Sequence, residues 1–390
     1  MATETRRSRG SIIQRGEDPR KWTLVIDLGR DSLGKRKRQW ITMTGSRRAA
    51  EKRLGELLGE ADSGLYIKPA KGTFGEYLDQ WLQNYAATRV RPTTLEGYRF
   101  RAKSVKTGLG NIRLADLRPD HLQGYYTSRL TTGQLAAGTL VKHHNLIREA
   151  LATAVKWKLI NQNIAEMVDP PRPSRKEMRA LTGSEVHRVL EACQDTHWHT
   201  IFHTLIWTGL RRSELLGLRW KDVDLLLATL RVTQVLHQLS DGSYVYTEPK
   251  TAKAKRAVAL SPASCLVLRS HREAQERDAA SLGIALTDET LVFCHVADGA
   301  PLRPDTVGQA FRRKVRQLGL SGVRLHDLRH TMASLYLQMG ISPKTVAERL
   351  GHSSVVITLD TYSHLLPGMQ EAAAAQFDAA MEAAVPQTIG

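Results

Sequence analysis

The sequence predicts a multidomain chain, mainly α with small antiparallel sheets, and three observations predict it. At 390 residues the chain exceeds what one hydrophobic core usually organises. Helix-start signatures and apolar residues at three- and four-residue steps run through its middle and last parts. Short strand-like stretches interrupt that pattern near the start and again within the last domain. The expected layout is an N-terminal β-sheet-plus-helix module over residues 1–70, an all-α domain over 71–168, a linker over 169–180, and an α+β domain with a C-terminal helix over 181–390.

In the first module, Trp22 to Leu28 and Arg38 to Thr42 read as strands, followed by a helix rich in Arg, Glu and Leu. Sixteen Lys and Arg face nine Asp and Glu there, and the run Lys35-Arg36-Lys37-Arg38 ahead of Trp40 lies at a turn and strand start. Such a run can follow a phosphate backbone; a solvated charged hairpin would carry the same residues. With Trp22 and Trp40 on the strands and a basic chain around them, DNA contact is the expectation for Lys35, Arg36, Lys37 and Arg38, and for Arg47 and Arg48 beyond them.

The second domain opens on Thr73-Phe74-Gly75-Glu76, a capping box that satisfies helix-start amides reciprocally. Phe74, Tyr77, Leu78, Trp81, Leu82 and Tyr85 then share one helix face and are expected in a core. A second box, Thr93 to Glu96, and a long helix from Thr139 to Leu159 complete the helical reading. It ends at Asp169-Pro170-Pro171-Arg172-Pro173-Ser174-Arg175-Lys176, whose prolines forbid a regular helix. Arg172, Arg175 and Lys176 are further candidate DNA contacts. A third box, Thr182 to Glu185, starts the last domain, which has strand-like stretches at Ala228 to Val235 and Tyr244 to Leu260. Near the end, Phe377, Met381 and Val385 form a narrow apolar stripe that can dock on its own domain or on a neighbour.

With 56 Lys and Arg against 39 Asp and Glu, the net charge is +17, which points to a polyanionic partner, nucleic acid first. Membrane is the other common polyanion, but no apolar run approaches the ~18 residues of a spanning helix. The basic start lacks an apolar signal core, so a cytoplasmic protein is expected. Cys193, Cys265 and Cys294 are odd in number and far apart, which fits small buried residues rather than a disulfide framework or a zinc site.

Four blocks of the last domain carry chemistry together: Thr208-Gly209-Leu210-Arg211-Arg212-Ser213-Glu214, then Glu248-Pro249-Lys250-Thr251, then His326-Asp327-Leu328-Arg329-His330, then Leu350-Gly351-His352 with Tyr362-Ser363-His364. They offer two Arg, one Lys, two candidate His and one Tyr, a set suited to phosphodiester transfer without metal or cofactor. Arg presents a planar fork to the phosphate oxygens as charge builds on them. Tyr is a nucleophile that leaves a stable ester, and with a pKa of ~10 it needs proton acceptors such as His or Lys.

Taken singly, these residues have plainer roles. Arg212, Arg219 and Arg349 read as surface residues, an isolated tyrosine belongs to a core or turn, and His330 reads as a support of its helix. Arg211 stands apart because it follows Gly209, which is expected to end a helix. The histidines of the HDLRH block echo the HExxH zinc helix, but Asp replaces Glu and no third ligand sits at a known spacing. His197, His199 and His203 cluster on a helix, where a step of two puts neighbours on different sides.

In this order the four blocks resemble the tyrosine recombinase, or phage integrase, family across the whole last domain, and the helical middle domain is similar to that family's SAM-like core-DNA-binding domain. The resemblance implies a site-specific recombinase that cleaves and rejoins DNA through a 3′-phosphotyrosine, integrating or excising a mobile element. It implies Tyr362 as nucleophile, Arg211 and Arg329 as phosphate clamps, and Glu214 as the support that orients Arg211. It implies Lys250 as the acid that protonates the leaving 5′ oxygen, His326 as an aid to proton transfer, and His352 as a donor to the phosphate. The implied partners are double-stranded DNA with specific attachment sites, a homotetramer on that DNA, and a directionality factor or DNA-bending protein. The first module looks like the arm-site-binding domain of some integrases. A type IB topoisomerase or telomere resolvase would use a similar set of residues, and charge and helices alone would also suit a non-catalytic DNA-binding regulator.

Overall fold

The computed structural model describes residues 10–14, 18–30, 34–62, 72–174, 178–362, 374–375 and 377–381. The chain divides into two compact units, Met1–Arg175 and Lys176–Gly390.

The first unit begins with an antiparallel sheet in the order β1 (Gly10–Gln14), β2 (Lys21–Arg30), β3 (Arg36–Thr44), covered by helix α1 (Arg47–Asp62). Alternation of side chains sends Ile41 and Met43 of β3 and Leu24 and Ile26 of β2 to a core shared with Ala50 and Leu57 of α1. Arg38 and Trp40, paired with Asp27 and Val25, therefore point away from α1, and both are exposed. Strand β1 was not expected from the sequence, and β2 and β3 run further than expected at both ends.

The helical part of this unit starts as its capping box dictates. Thr73 Oγ1 accepts from the Glu76 amide at 3.2 Å, and Glu76 Oε2 accepts from the Thr73 amide at 2.9 Å. Helix α2 (Phe74–Trp81) continues through a π-helical turn, Leu82–Ala86, into α3 (Ala87–Arg89). The expected box at Thr93 does not form. Helix α4 (Pro92–Leu109) starts two residues earlier than that box would, because Pro92 has the φ and lacks the N–H that suit a first helical position, so Arg91 is the cap and Thr93 lies inside the first turn. Helices α5 (Pro119–Thr131) and α6 (Ala137–Lys156) follow. Phe74, Tyr77, Leu78 and Trp81 pack with Leu140, Leu146, Ile147 and Leu151, and the buried Trp81 indole donates to Thr153 Oγ1 at 3.0 Å.

The second unit is built on helices α7 (Gly183–Glu191), α8 (Trp198–Thr208) and α9 (Arg212–Leu216). Thr182 and Glu185 make the reciprocal cap at the start of α7, at 3.2 and 2.9 Å. Strands β4 (Val223–Asp224), β5 (Thr229–Arg231), β6 (Val235–Gln238), β7 (Tyr244–Thr247) and β8 (Ala257–Ala259) come next. They form two sheets, β4-β5-β8 and the hairpin β6-β7. The stretch from Tyr244 to Leu260 is thus two short strands in different sheets. Pro249 has no N–H for a ladder, and Ala252–Ala254 forms a 3-10 turn between them. Helices α10 (Pro262–Ser281), α11 (Pro304–Gln317), α12 (Asp327–Gln338), α13 (Pro343–Leu350) and α14 (Val355–Tyr362) complete the unit as far as the nucleophile candidate.

Two arginines expected at the surface are structural instead. Arg219 bonds Asp222 at 3.0 Å and Thr233 at 3.1 Å, and Arg349 donates to the Trp207 carbonyl at 2.7 Å with its guanidinium over the Tyr336 ring. Cys193 and Cys265 are buried, Cys294 is half-buried, and all three are free. Residues 377–381 are helical with Phe377 and Met381 exposed, while Val385 lies outside the described residues. No described helix is long and apolar enough to cross a membrane.

Candidate active site

Helix α8 ends at Gly209, whose φ of 65° is left-handed and whose missing side chain makes room for Met332 and Leu350. The chain then turns so that Arg211, in extended conformation, caps α9. Glu214, one turn into that helix, accepts the Arg211 amide at 2.9 Å and the Arg211 guanidinium at 2.7 Å. It is 4 % exposed. Burial pushes its carboxyl up, but the guanidinium of Arg256, then the amide and guanidinium of Arg211, outweigh that and hold it below the usual range.

The HDLRH block supplies the second arginine. Asp327, buried at the start of α12, accepts from the Arg324 amide at 2.8 Å and from its guanidinium at 2.9 Å, so this acid fastens the turn that precedes the helix. Arg329 is 4 % exposed. It donates to the Gly209 carbonyl at 2.6 Å and to the Leu350 carbonyl at 2.5 Å, tying together the segments that carry Arg211 and His352. Burial, then repulsion from Arg211, pushes Arg329 down to about 9, which leaves it charged at neutral pH. His326 is lowered by burial and by Arg329 and Arg211.

Helix α13 ends at another left-handed glycine, Gly351, and the turn delivers His352, whose Nδ1 meets Thr358 Oγ1 at 2.8 Å. Burial, followed by Arg329, Arg211 and Arg256, pushes His352 down to about 4. Lys250 is exposed on the segment after β7, and Lys253 of that segment donates to the Ser353 carbonyl at 2.9 Å.

Tyr362, the last residue of α14, is 3 % exposed. Its hydroxyl meets His330 Nδ1 at 2.5 Å, and His330 in turn stands edge-on to His326, with ring centroids 5.2 Å apart. Burial pushes the Tyr362 phenol up to about 12, with Arg329 opposing, and burial then His326 pushes His330 down to about 4. The expected role of His330 as a helix support is thus incomplete: it holds the nucleophile candidate.

Arg211 and His326 open on one cavity of about 650 Å³, which Arg212, Arg312 and Arg324 also line. Tyr362 and His330 border a different one, of about 350 Å³, closed on its other side by Met178 to Gly183. Arg329 and Glu214 join segments beside the first cavity, and His352 bonds Thr358 of α14, the helix that ends in Tyr362. Sequence reasoning missed Arg256 and His330. Arg256 follows Lys253 and Lys255 and looks like one more surface cation, but its partners lie 42 and 93 positions away.

Of the candidate DNA contacts, Lys35, Arg36, Arg38, Arg47, Arg48 and Arg172 are exposed. Arg36 is 3.8 Å from Asp27, and Arg47 pairs with Glu51 at 3.1 Å. The Lys37 side chain, Arg175 and Lys176 lie outside the described residues, as do Ser363 and His364.

The sequence pattern of the phage integrase family matches residues 179–368, which contain all four motif blocks, and that of the phage integrase N-terminal SAM-like domain matches residues 73–130. This chain belongs to the phage integrase family. A tyrosine recombinase XerC-like protein of Caldanaerobacter subterraneus subsp. tengcongensis is 25% identical over 364 residues, covering 89% of this chain and 93% of the relative. The Tn1549 transposon integrase, solved with a circular intermediate DNA, shares the fold of this integrase-family chain with a TM-score of 0.65 at 20% identity, over 75% of this chain and 95% of that one. A lambda integrase, solved as a tetramer bound to a Holliday junction, shares it with a TM-score of 0.55 at 21% identity, over 88% and 95%. These likenesses agree with the mainly helical multidomain architecture expected from the sequence.

Proposed function

We propose that this integrase-family chain is a site-specific DNA recombinase that breaks and rejoins strands through an ester between Tyr362 and a backbone phosphate. The observation that carries the reading is the Arg329 guanidinium, which bonds the Gly209 and Leu350 carbonyls and so gathers the Arg211 and His352 segments around one buried positive charge. A tetrahedral phosphate at the 650 Å³ cavity would meet the Arg211 fork and His326 at its lip. Its charge would also relieve the mutual repulsion of Arg211 and Arg329.

The Tyr362 oxygen attacks phosphorus, the phosphorus bond to the 5′ oxygen breaks, and the phenolic proton passes to His326, which lines the cavity that would take the phosphate. Lys250 gives a proton to the leaving 5′ oxygen. Glu214 stays ionised and orients Arg211, and His352 donates to the phosphate. Because the ester keeps the energy of the broken bond, a 5′-hydroxyl of the same or a partner strand reverses the step and rejoins the DNA. The exposed Arg38 and Trp40, on the sheet face opposite α1, suit a second DNA contact. Four copies on paired attachment sites, a cytoplasmic location and an accessory bending or directionality factor complete the proposal.

The test uses nicked duplexes tiled from DNA flanking the gene, incubated with the full chain in EDTA. A covalent protein–DNA adduct is expected on one of them and is expected to vanish in Tyr362→Phe. Binding without any adduct would leave a regulator, and supercoil relaxation without paired sites would leave a topoisomerase.

A further inference from the structure

Arg256 sits at the end of the segment that begins with Lys250, one residue before β8, and its side chain is only 6 % exposed. Such burial is uncommon for an arginine unless its donors are matched. Here they are. Nε donates to the Arg349 carbonyl at 2.7 Å, Nη1 to the Ala254 carbonyl at 3.2 Å and to Glu214 Oε1 at 3.3 Å, and Nη2 to Glu214 Oε2 at 3.0 Å. One guanidinium therefore touches three segments: the one that holds Arg211, the one that leads from Lys250, and the last turn of α13 ahead of His352. At Gly351, a Cβ would come within 3.0 Å of the Arg256 side chain, so the turn that delivers His352 is folded against it.

The charges explain why a second arginine is needed there. A carboxylate paired with Arg211 alone would neutralise the fork that must attract a phosphate. Shared between Arg211 and Arg256, the same carboxylate leaves one net positive charge, and Arg329 adds another. We propose that Arg256 is a positioning residue for strand transfer: by taking its share of Glu214 and the Arg349 carbonyl, it fixes Arg211 against the His352 turn and keeps the cluster cationic. This rests on the strand-transfer reading above.

The charged groups facing Glu214 are Arg211, Arg256 and Arg329. Without Arg256, burial at Glu214 is opposed only by Arg211 and the more distant Arg329, so the carboxyl is expected to take up a proton at higher pH than in the unaltered chain, loosening Arg211. The experiment follows single-turnover adduct formation by the full chain on the duplex that gives an adduct with the unaltered protein. Absence of that reference adduct counts against the strand-transfer reading, separately from Arg256. Arg256→Gln is expected to slow the step about a hundredfold while changing duplex affinity less than about threefold. It is also expected to add a fall in rate between pH 7.5 and 5.5 that the unaltered chain does not show. Arg256→Lys, which restores the charge without the fork, should recover about tenfold of the loss. In a Glu214→Gln background, Arg256→Gln should cost less than about threefold more. Additive losses in the double variant, or a loss of the same size at every pH, would overturn the proposal. Should Arg256→Gln fail to fold, Arg256→Lys decides: a reduced rate with duplex affinity kept supports positioning by the fork, and an unaltered rate overturns it.

Discussion

Arg211, Glu214, Arg256 and Arg329 on one side of the site, and Tyr362 with His330 on the other, are held in opposite ways. On the first side the Arg256 and Arg329 guanidinium groups reach acceptors in distant segments and Arg211 reaches Glu214 three residues on, at 2.5 to 3.3 Å, and the shared carboxylate is buried. On the second, the phenol meets, among the described residues, the neutral imidazole of His330, and it borders a separate cavity. A phenol pushed up to about 12 by burial is a poor nucleophile where it stands. On the proposed strand-transfer reading, the difference teaches that the charge-stabilising half is organised before DNA arrives, whereas Tyr362 must leave His330 to act. Preorganised charge costs no rearrangement at the moment of reaction, so it is the half in which rigidity contributes most to rate.

The most damaging way to break this contrast is Arg329→Ala. It strips the donor from two buried carbonyls, those of Gly209 and Leu350, at about 1–3 kcal/mol each. Adduct formation should fall about a thousandfold as the clamp is lost. Thermal melting and single-turnover rates measured together decide the matter. A variant that loses the rate but melts as the unaltered chain does would show that Arg329 is not the tie between these segments.

A smaller effect separates two histidines that both stand near 4. His352 is lowered by burial and then by Arg329, Arg211 and Arg256, while His330 is lowered by burial and then by His326. A tetrahedral dianion such as sulfate, placed between the arginines, should cancel their repulsion of His352 and raise it by about one pH unit, worth about 1.4 kcal/mol. The sign follows from charge: an anion favours the imidazolium, so binding takes up a proton as the pH falls towards 5. His330 should move much less. Imidazole titrations by NMR, in sulfate and in chloride of matched ionic strength, read both; equal movement of the two rings would erase the distinction.

How much of this was legible in the sequence depended on the distance between partners. The Thr73 and Thr182 caps, the Gly209 helix stop and the Arg211–Glu214 pair are all local, spanning three or four residues, and a pattern of that length can be read directly. Thr93 misled because Pro92 competed for the same helix start and has the stronger backbone reason. Arg256, His330 and Arg349 were opaque for the opposite cause. Their partners are Glu214, Tyr362 and Trp207, and only tertiary packing separates such a buried cation or imidazole from the surface residues around it. The strand expected from Tyr244 to Leu260 failed at Pro249, in the segment that leads Arg256 to Glu214.

The mildest and most discriminating change is His330→Phe, which keeps an aromatic ring beside Tyr362 and removes its hydrogen-bond partner. If the contact only stows the phenol, its loss lowers the cost of bringing Tyr362 to the phosphate by one hydrogen bond, about 0.5–1.5 kcal/mol. Adduct formation should then speed up about three- to tenfold with duplex affinity unchanged. The increase stays small because burial, the first cause of the raised phenol, is untouched. A hundredfold slower rate would mean the opposite. His330 would then be moving the nucleophile's proton during the reaction, and the two halves of the site would be equally organised for chemistry.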